Sequence, residues 1–165
     1  MKAKRVATFG IFVALAFLLS YIETIIPIPI PIPGIKLGLA NLVVLAGLYT
    51  LGPKEAFVLS VVRILLVGLS FNPSALMFSL GGGMLSCFLM IIFSKTKSLS
   101  TTGVSIVGGV SHNIGQIIVA AWVVNNILIV YYLPFLLISG AVTGALIGLI
   151  GSNIINRIKK FNINS

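Results

Sequence analysis

Long apolar segments, separated by short polar or turn-forming stretches, dominate the pattern of the chain. A bilayer core of about 30 Å requires about 20 apolar residues per helix, with a range of roughly 17–25. Six segments approach or reach that length: residues 6–26, 37–51, 55–71, 74–94, 103–124 and 133–156. The pattern predicts an all-α integral membrane protein with six transmembrane helices in one bundle, forming a single domain over residues 1–165.

The predicted helix boundaries coincide with turn-forming residues. Gly52 and Pro53 separate the second and third segments, and this order is typical of one helix ending and the next beginning. Residues 94–102, SKTKSLSTT, form the one polar run between segments. The last connection, around residues 125–133, is apolar and contains Tyr131 and Tyr132, which favour the membrane–water interface.

Composition supports a membrane location. Hydrophobic residues make up 58% of the chain and charged residues 8%, against about 25% charged residues in ordinary globular domains. The acidic residues are Glu23 and Glu55, and aspartate is absent. The single cysteine, Cys87, excludes an intramolecular disulfide.

The basic residues predict the orientation in the membrane. With six spans, one side carries nine of them, and the opposite side carries only Lys36. The nine are Lys2, Lys4, Arg5, Lys54, Lys95, Lys97, Arg157, Lys159 and Lys160. This asymmetry predicts a multi-pass protein of the cell membrane with both termini in the cytoplasm. Because the charges are spread over short flanks beside membrane lipids, we expect no nucleic-acid partner.

The basic N-terminus followed by an apolar run also resembles a signal peptide. The run reaches Ile22 without a small-residue cleavage site at its end, and further spans follow. We therefore interpret residues 6–26 as a retained first helix.

Arg63 lies near the middle of the third predicted helix. An arginine at a helix centre costs about 2.5–3.5 kcal/mol on insertion scales, so it should face the bundle interior or water. Two interpretations stay open. Arg63 pairs with Glu23 or helix carbonyls as a structural residue, or it contacts an anionic group of a ligand.

A second polar group lies in the fifth span, in the stretch GVSHNIGQ. The spacing of His112, Asn113 and Gln116 places them on one helix face. Interhelical hydrogen bonding explains this group about as well as ligand binding does. No second histidine, aspartate or suitable cysteine accompanies His112, so we expect neither a metal site nor a catalytic triad.

The fourth span contains Gly81, Gly82 and Gly83, which permit close approach by another helix or by a ligand. Most intramembrane polar side chains fall at the midplane or in the outer half, which predicts a pocket open to the outside. The candidate substrate-binding residues are Lys36, Asn41, Arg63, Ser79, Gly82, His112, Asn113 and Gln116.

Four prolines, Pro27, Pro29, Pro31 and Pro33, interrupt the apolar pattern after the first span. They favour an extended polyproline conformation at about 3.1 Å per residue, without internal hydrogen bonds. Such a segment is either a stiff linker or a lid across the mouth of the bundle. The lid, with Lys36 at the pocket rim, is the favoured interpretation.

Small residues form two stripes at helical spacing. Gly140, Gly144 and Gly148 in the last span predict helix packing within the bundle. In the first span the stripe indicates a surface for a partner helix, and its members are Ala3, Ala7, Gly10 and Ala14.

Several of these segments together resemble a known family. They are SYIETIIPIPIPIPGIKLGLANLVVL (residues 20–45), VVRILLVGL (61–69), FSLGGGMLSCFLM (78–90) and GVSIVGGVSHNIGQIIVA (103–120). The chain resembles the family labelled heptaprenyl diphosphate synthase component I, or Gx transporter family. That family is similar to the substrate-binding S components of energy-coupling factor (ECF) transporters.

The resemblance implies a fold, a ligand class and partners. S components are six-helix membrane proteins that bind vitamins or related compounds from outside. They associate with a transmembrane coupling protein and two cytoplasmic ATPases. Small residues in their first helix contact the coupling protein, and the matching positions here are Ala3 and Ala7, or Gly10 and Ala14.

The synthase label conflicts with the residues present. Prenyl chain elongation uses aspartate-rich clusters that hold magnesium, which prefers carboxylate oxygens, and this chain has no aspartate. We therefore expect no enzymatic activity and no cofactor. The leading hypothesis is the S component of an ECF-type importer for a vitamin-like or redox-cofactor-related molecule. The alternatives are a non-catalytic membrane subunit supporting prenyl diphosphate or quinone metabolism and, third, a secondary transporter.

Overall fold

The computed structural model describes residues 2–26, 37–71, 73–96 and 98–163. These ranges contain six α-helices, two short 3-10 helices and no β-strand. The α-helices are α1 Lys2–Ile25, α2 Leu39–Thr50, α3 Pro53–Ser70, α4 Leu76–Thr96, α5 Thr101–Val124 and α6 Leu133–Ile163. Each lies on one of the six apolar segments, which confirms the all-helical prediction for the described residues.

Four described helical segments are long and apolar enough to cross a membrane, which indicates a membrane protein. They are Ala3–Ile25, Pro73–Thr96, Thr101–Val124 and Ile127–Lys160. α2 has 12 residues, about 18 Å at 1.5 Å per residue, and is shorter than a bilayer core of about 30 Å. α3 has 18 residues but carries Lys54, Glu55 and Arg63. The count of six transmembrane passes stays a prediction.

Residues with special backbone conformations set two of the helix ends. Gly52 precedes α3 at φ +117°, a value that side-chain-bearing residues rarely adopt, and Pro53 is the first helical residue. Asn125 ends α5 in the left-handed region. The tyrosine-containing connection forms a 3-10 helix, Ile127–Tyr132, and Tyr131 is 79% exposed. That exposure fits the predicted position at the membrane interface.

α5 is the central helix of the packing, with α4 on one side and α6 on the other. Glycines face each other at both contacts. A Cβ atom added at Gly115 would lie 2.5 Å from the carbonyl oxygen of Gly81, and one at Gly140 would lie 2.7 Å from that of Gly109. These glycines allow the backbones of α4, α5 and α6 to approach closely, as small-residue motifs do in membranes.

α2 lies between α1, α3 and α6 and supplies much of the buried apolar core. Leu45 of α2, Leu59 of α3 and Val104 of α5 are fully buried. Large apolar side chains on the outer faces of α1 and α6, such as Ile11 and Ile138, are in contrast mostly exposed. Apolar residues on both the inner and outer faces are typical of helices surrounded by lipid.

Cross-helix contacts bring several helix ends together at one end of the bundle. Arg5 of α1 donates to Glu55 Oε1 at 2.5 Å and to the carbonyl oxygen of Leu51 at 3.1 Å. Lys159 near the end of α6 places its Nζ 5.6 Å from the ring centroid of Tyr49 at the end of α2. We call this region, with Lys4, Arg5, Lys54, Arg157, Lys159 and Lys160, the basic end.

Candidate functional site

A cavity of about 380 Å³ lies between the helices, next to the C-terminal end of α1 and the N-terminal end of α2. These helix ends are opposite to the basic end. The volume falls in the range of small-molecule sites, about 300–1,000 Å³. The polar and charged side chains that line it are Ser20, Glu23, Thr24, Asn41, Arg63, Ser79, Ser105, His112, Asn113 and Thr143.

Arg63 reaches the cavity from the middle of α3. Its Nε is buried and has no hydrogen-bond partner among the described residues. The guanidinium extends towards α4, since a Cβ added at Gly83 would lie 3.8 Å from Arg63 Nη2. An unpaired buried charge is costly, so this side chain is suited to bind acceptor atoms that enter the cavity.

Glu23, near the C-terminal end of α1, is the acidic side chain of the described lining. Its Oε1 accepts a hydrogen bond from the backbone N–H of Gly38 at 2.5 Å. Gly38 precedes α2 at φ +77°, in the left-handed region that glycine adopts readily. The bond therefore fixes the start of α2 to the end of α1 at the mouth of the cavity.

α5 contributes His112 and Asn113 to the lining. Asn113 is buried, and its Nδ2 donates to the carbonyl oxygen of Leu136 on α6 at 2.5 Å. Asn113 thus joins two helices at the edge of the cavity, which is the interhelical role that its sequence position left open. Asn41 and Ser79 also face the cavity, from α2 and α4.

Gln116 and Gly82 were candidate binding residues, but neither lines this cavity. Gln116 follows His112 by one helical turn, and its Oε1 is buried without a partner among the described residues. Gly82 is packed against α5, because a Cβ there would lie 2.7 Å from the carbonyl oxygen of His112. The structure therefore assigns Gly82 to helix packing.

The remaining candidate, Lys36, lies outside the described residues, as do Pro27, Pro29, Pro31 and Pro33. The lid and linker interpretations of the proline segment both stay predictions. The described residues on either side of this segment are Ile26 and Leu37, and both line the cavity.

The small-residue stripe of α1 faces outward. Ala3, Ala7, Gly10 and Ala14 are all exposed. A Cβ atom added at Gly10 would meet nothing within 4 Å, in contrast to the tightly packed glycines of α5 and α6. We call these four residues the α1 stripe.

Sequence reasoning did not select several residues of the lining. Glu23 was considered as a partner for Arg63 and as one of the polar residues of the outer half, but it was not a candidate binding residue. Ser20, Thr24, Ser105 and Thr143 were not considered. Isolated serines and threonines in apolar helices give a weak signal, because they commonly bond to their own helix. Thr143 does so, donating to the carbonyl oxygen of Ser139 at 2.9 Å.

A comparison with protein families identifies the chain. The family model described as heptaprenyl diphosphate synthase component I matches residues 12–154. The chain belongs to this family. The match extends from within α1 to within α6 and includes every residue that lines the cavity. It confirms the resemblance stated from the sequence. No curated protein and no solved structure matches the chain.

Proposed function

We propose that the chain is the substrate-binding subunit, or S component, of an ECF-type importer for a vitamin-like or redox-cofactor-related molecule. One observation carries this proposal: Arg63 lines a cavity of small-molecule size, and its Nε is buried without a partner among the described residues. Such a group is stabilised when a ligand supplies acceptor atoms. The chain acts by capture and release, and it is not itself an enzyme.

The position of the cavity supports capture from outside the cell. It lies beside the helix ends that are opposite to the basic end. Basic flanks favour the cytoplasmic side, so the cavity faces outward and both termini face the cytoplasm. A ligand that enters between α1 and α2 would reach Arg63 without crossing the bundle.

The α1 stripe supports the second half of the proposal, which is docking to a transmembrane coupling protein. Small exposed residues allow another helix to approach closely in a membrane. The stripe begins at the basic end, near the cytoplasmic ATPases that would drive the release of the ligand. Energy transfer then requires no nucleotide site in this chain.

A membrane subunit that supports prenyl diphosphate or quinone metabolism is the second candidate, favoured by the description of the family. It predicts a prenyl chain or a quinone in the cavity and co-purification with a soluble synthase. The charged lining counts against a purely apolar ligand, since such a ligand would supply no acceptor to the Arg63 Nε.

Docking is tested by Gly10→Leu in the full chain, co-expressed with the coupling protein and the two ATPases of its host. We expect the amount of coupling protein that co-purifies to fall at least tenfold, because a leucine side chain blocks close helix approach. Val142→Leu is the control, since Val142 is 55% exposed on α6, away from the α1 stripe. Undiminished co-purification of Gly10→Leu would exclude the α1 stripe as the docking surface.

A further inference from the structure

Two opposite charges face the cavity without pairing with each other. Glu23 and Arg63 are the charged side chains of its described lining. Within the described residues the ion pair of the protein is Arg5–Glu55, at the basic end. Glu23 nevertheless lies close enough to act electrostatically on Arg63. The cavity therefore separates an anion from a cation that attract each other.

Each of these two lining residues has hydrogen-bonding capacity that no described residue uses. The Nε of Arg63 is buried without a partner. Glu23 uses Oε1 for the N–H of Gly38, and no described residue donates to Oε2. An arginine offers only donors and an ionised carboxylate only acceptors, so the two groups require complementary partners.

The charges also limit the net charge of a ligand. One cation and one carboxylate make the described lining neutral overall. A diphosphate would bring several negative charges next to Glu23, and Arg63 is the cation that the described lining offers to balance them. Like charges at short range disfavour binding. A purely apolar chain would desolvate both Glu23 and Arg63 without supplying a polar partner to either.

We propose that the ligand of this cavity is a net-neutral, dipolar molecule that lies between Arg63 and Glu23. It presents a carboxylate or carbonyl oxygen to Arg63 and an ammonium or N–H donor to Glu23. The inference rests on the proposed function and adds the chemical class of the substrate. Zwitterions and heterocycles with adjacent acceptor and donor groups belong to this class, whereas phosphate esters and prenyl diphosphates do not.

Glu23→Gln gives a test in which the sign of the effect discriminates between ligand classes. Glutamine keeps the side-chain oxygen that accepts from Gly38 N–H, so the start of α2 remains attached. Removal of the negative charge weakens binding of a dipolar ligand, because its donor end loses a charged partner. The same change strengthens binding of an anion, because it removes a repulsion.

The probe is the pool of small molecules released from the wild-type protein by denaturation. It is returned to ligand-free wild-type protein and variants, and binding is measured by equilibrium dialysis with mass spectrometry. We expect Glu23→Gln and Arg63→Gln each to weaken binding about tenfold or more. Glu55→Gln is the matched control, because Glu55 pairs with Arg5 at the basic end, and it should bind like the wild type.

Unchanged or tighter binding by Glu23→Gln, with weaker binding by Arg63→Gln, would contradict the inference that the ligand is dipolar. It would leave the proposed importer function unaffected. Unchanged binding by Arg63→Gln would also overturn it. A wild-type protein that releases no small molecule would overturn both proposals. Electrophoretic mobility of the released compound at neutral pH gives an independent measurement. A near-zero mobility supports the inference, and migration as a polyanion contradicts it.

Discussion

Arg63→Ala is expected to abolish detectable ligand binding while the helical bundle stays folded. The guanidinium is the cation of the described cavity lining, and its Nε has no hydrogen-bond partner among the described residues. Hydrogen bonds to charged groups contribute about 1.5–3 kcal/mol, which corresponds to a loss of about ten- to a hundredfold in affinity. The measurement is the molar ratio of co-purified small molecule to protein after gentle detergent extraction.

The appropriate control is Arg157→Ala, which removes an exposed arginine at the basic end of α6. We expect this variant to retain the wild-type ratio of small molecule to protein. Thermal unfolding in detergent verifies that Arg63→Ala remains folded, and it should unfold at or near the wild-type temperature. A folded Arg63→Ala protein with the full wild-type content of ligand would remove Arg63 from the site.

Gly115→Ala is expected to destabilise the bundle strongly. The added Cβ would lie 2.5 Å from the carbonyl oxygen of Gly81 and 3.0 Å from the Cα of Gly82. Both contacts are backbone atoms of α4, so the helices must move apart. Overpacking of a core costs about 1–3 kcal/mol, and each kcal/mol lowers the unfolding midpoint by about 2–4 °C in a chain of this size. Thermal unfolding in detergent measures the shift.

Gly10→Ala makes the same chemical change where the structure has room. A Cβ at Gly10 meets nothing within 4 Å, and alanine has a higher helix propensity than glycine. We expect an unfolding midpoint equal to or above that of the wild type. If Gly115→Ala and Gly10→Ala shifted the midpoint equally, close packing of α4 on α5 would not describe the protein.

The positions of the helices were predictable because hydropathy and turn residues act locally along the chain. α3 begins at Pro53 after Gly52, as these two residues predict. α5 ends at Val124, which is the boundary predicted from its apolar pattern. Two local rules were enough to predict these helix boundaries. A membrane-spanning segment needs about 20 apolar residues, and glycine and proline have characteristic backbone preferences at helix ends.

The cavity lining was predictable only in part, because it depends on how each helix is rotated by its neighbours. His112 and Asn113 face the cavity, but Gln116, one turn further along α5, does not. Gly82 was predicted to bind the ligand, but the backbone of α5 occupies the space beside it. Helical spacing shows which residues share a face, but it does not show what that face contacts.

The role of Glu23 was not predictable for a different reason. Its carboxylate is bonded to the N–H of Gly38, which lies 15 residues further along the chain and beyond the four prolines. No local periodicity connects these two positions. The separation of Glu23 from Arg63 within one cavity follows from the packing of α1, α2 and α3, and it carries most of what we infer about the ligand.

The most direct test of the proposed capture function is native mass spectrometry of the wild-type protein after gentle extraction from the membrane. We predict one small molecule bound per protein, with polar acceptor and donor groups and no prenyl chain. An empty protein would contradict a capture subunit. A bound prenyl lipid or quinone would also contradict it and would assign the cavity to a membrane subunit of prenyl or quinone metabolism.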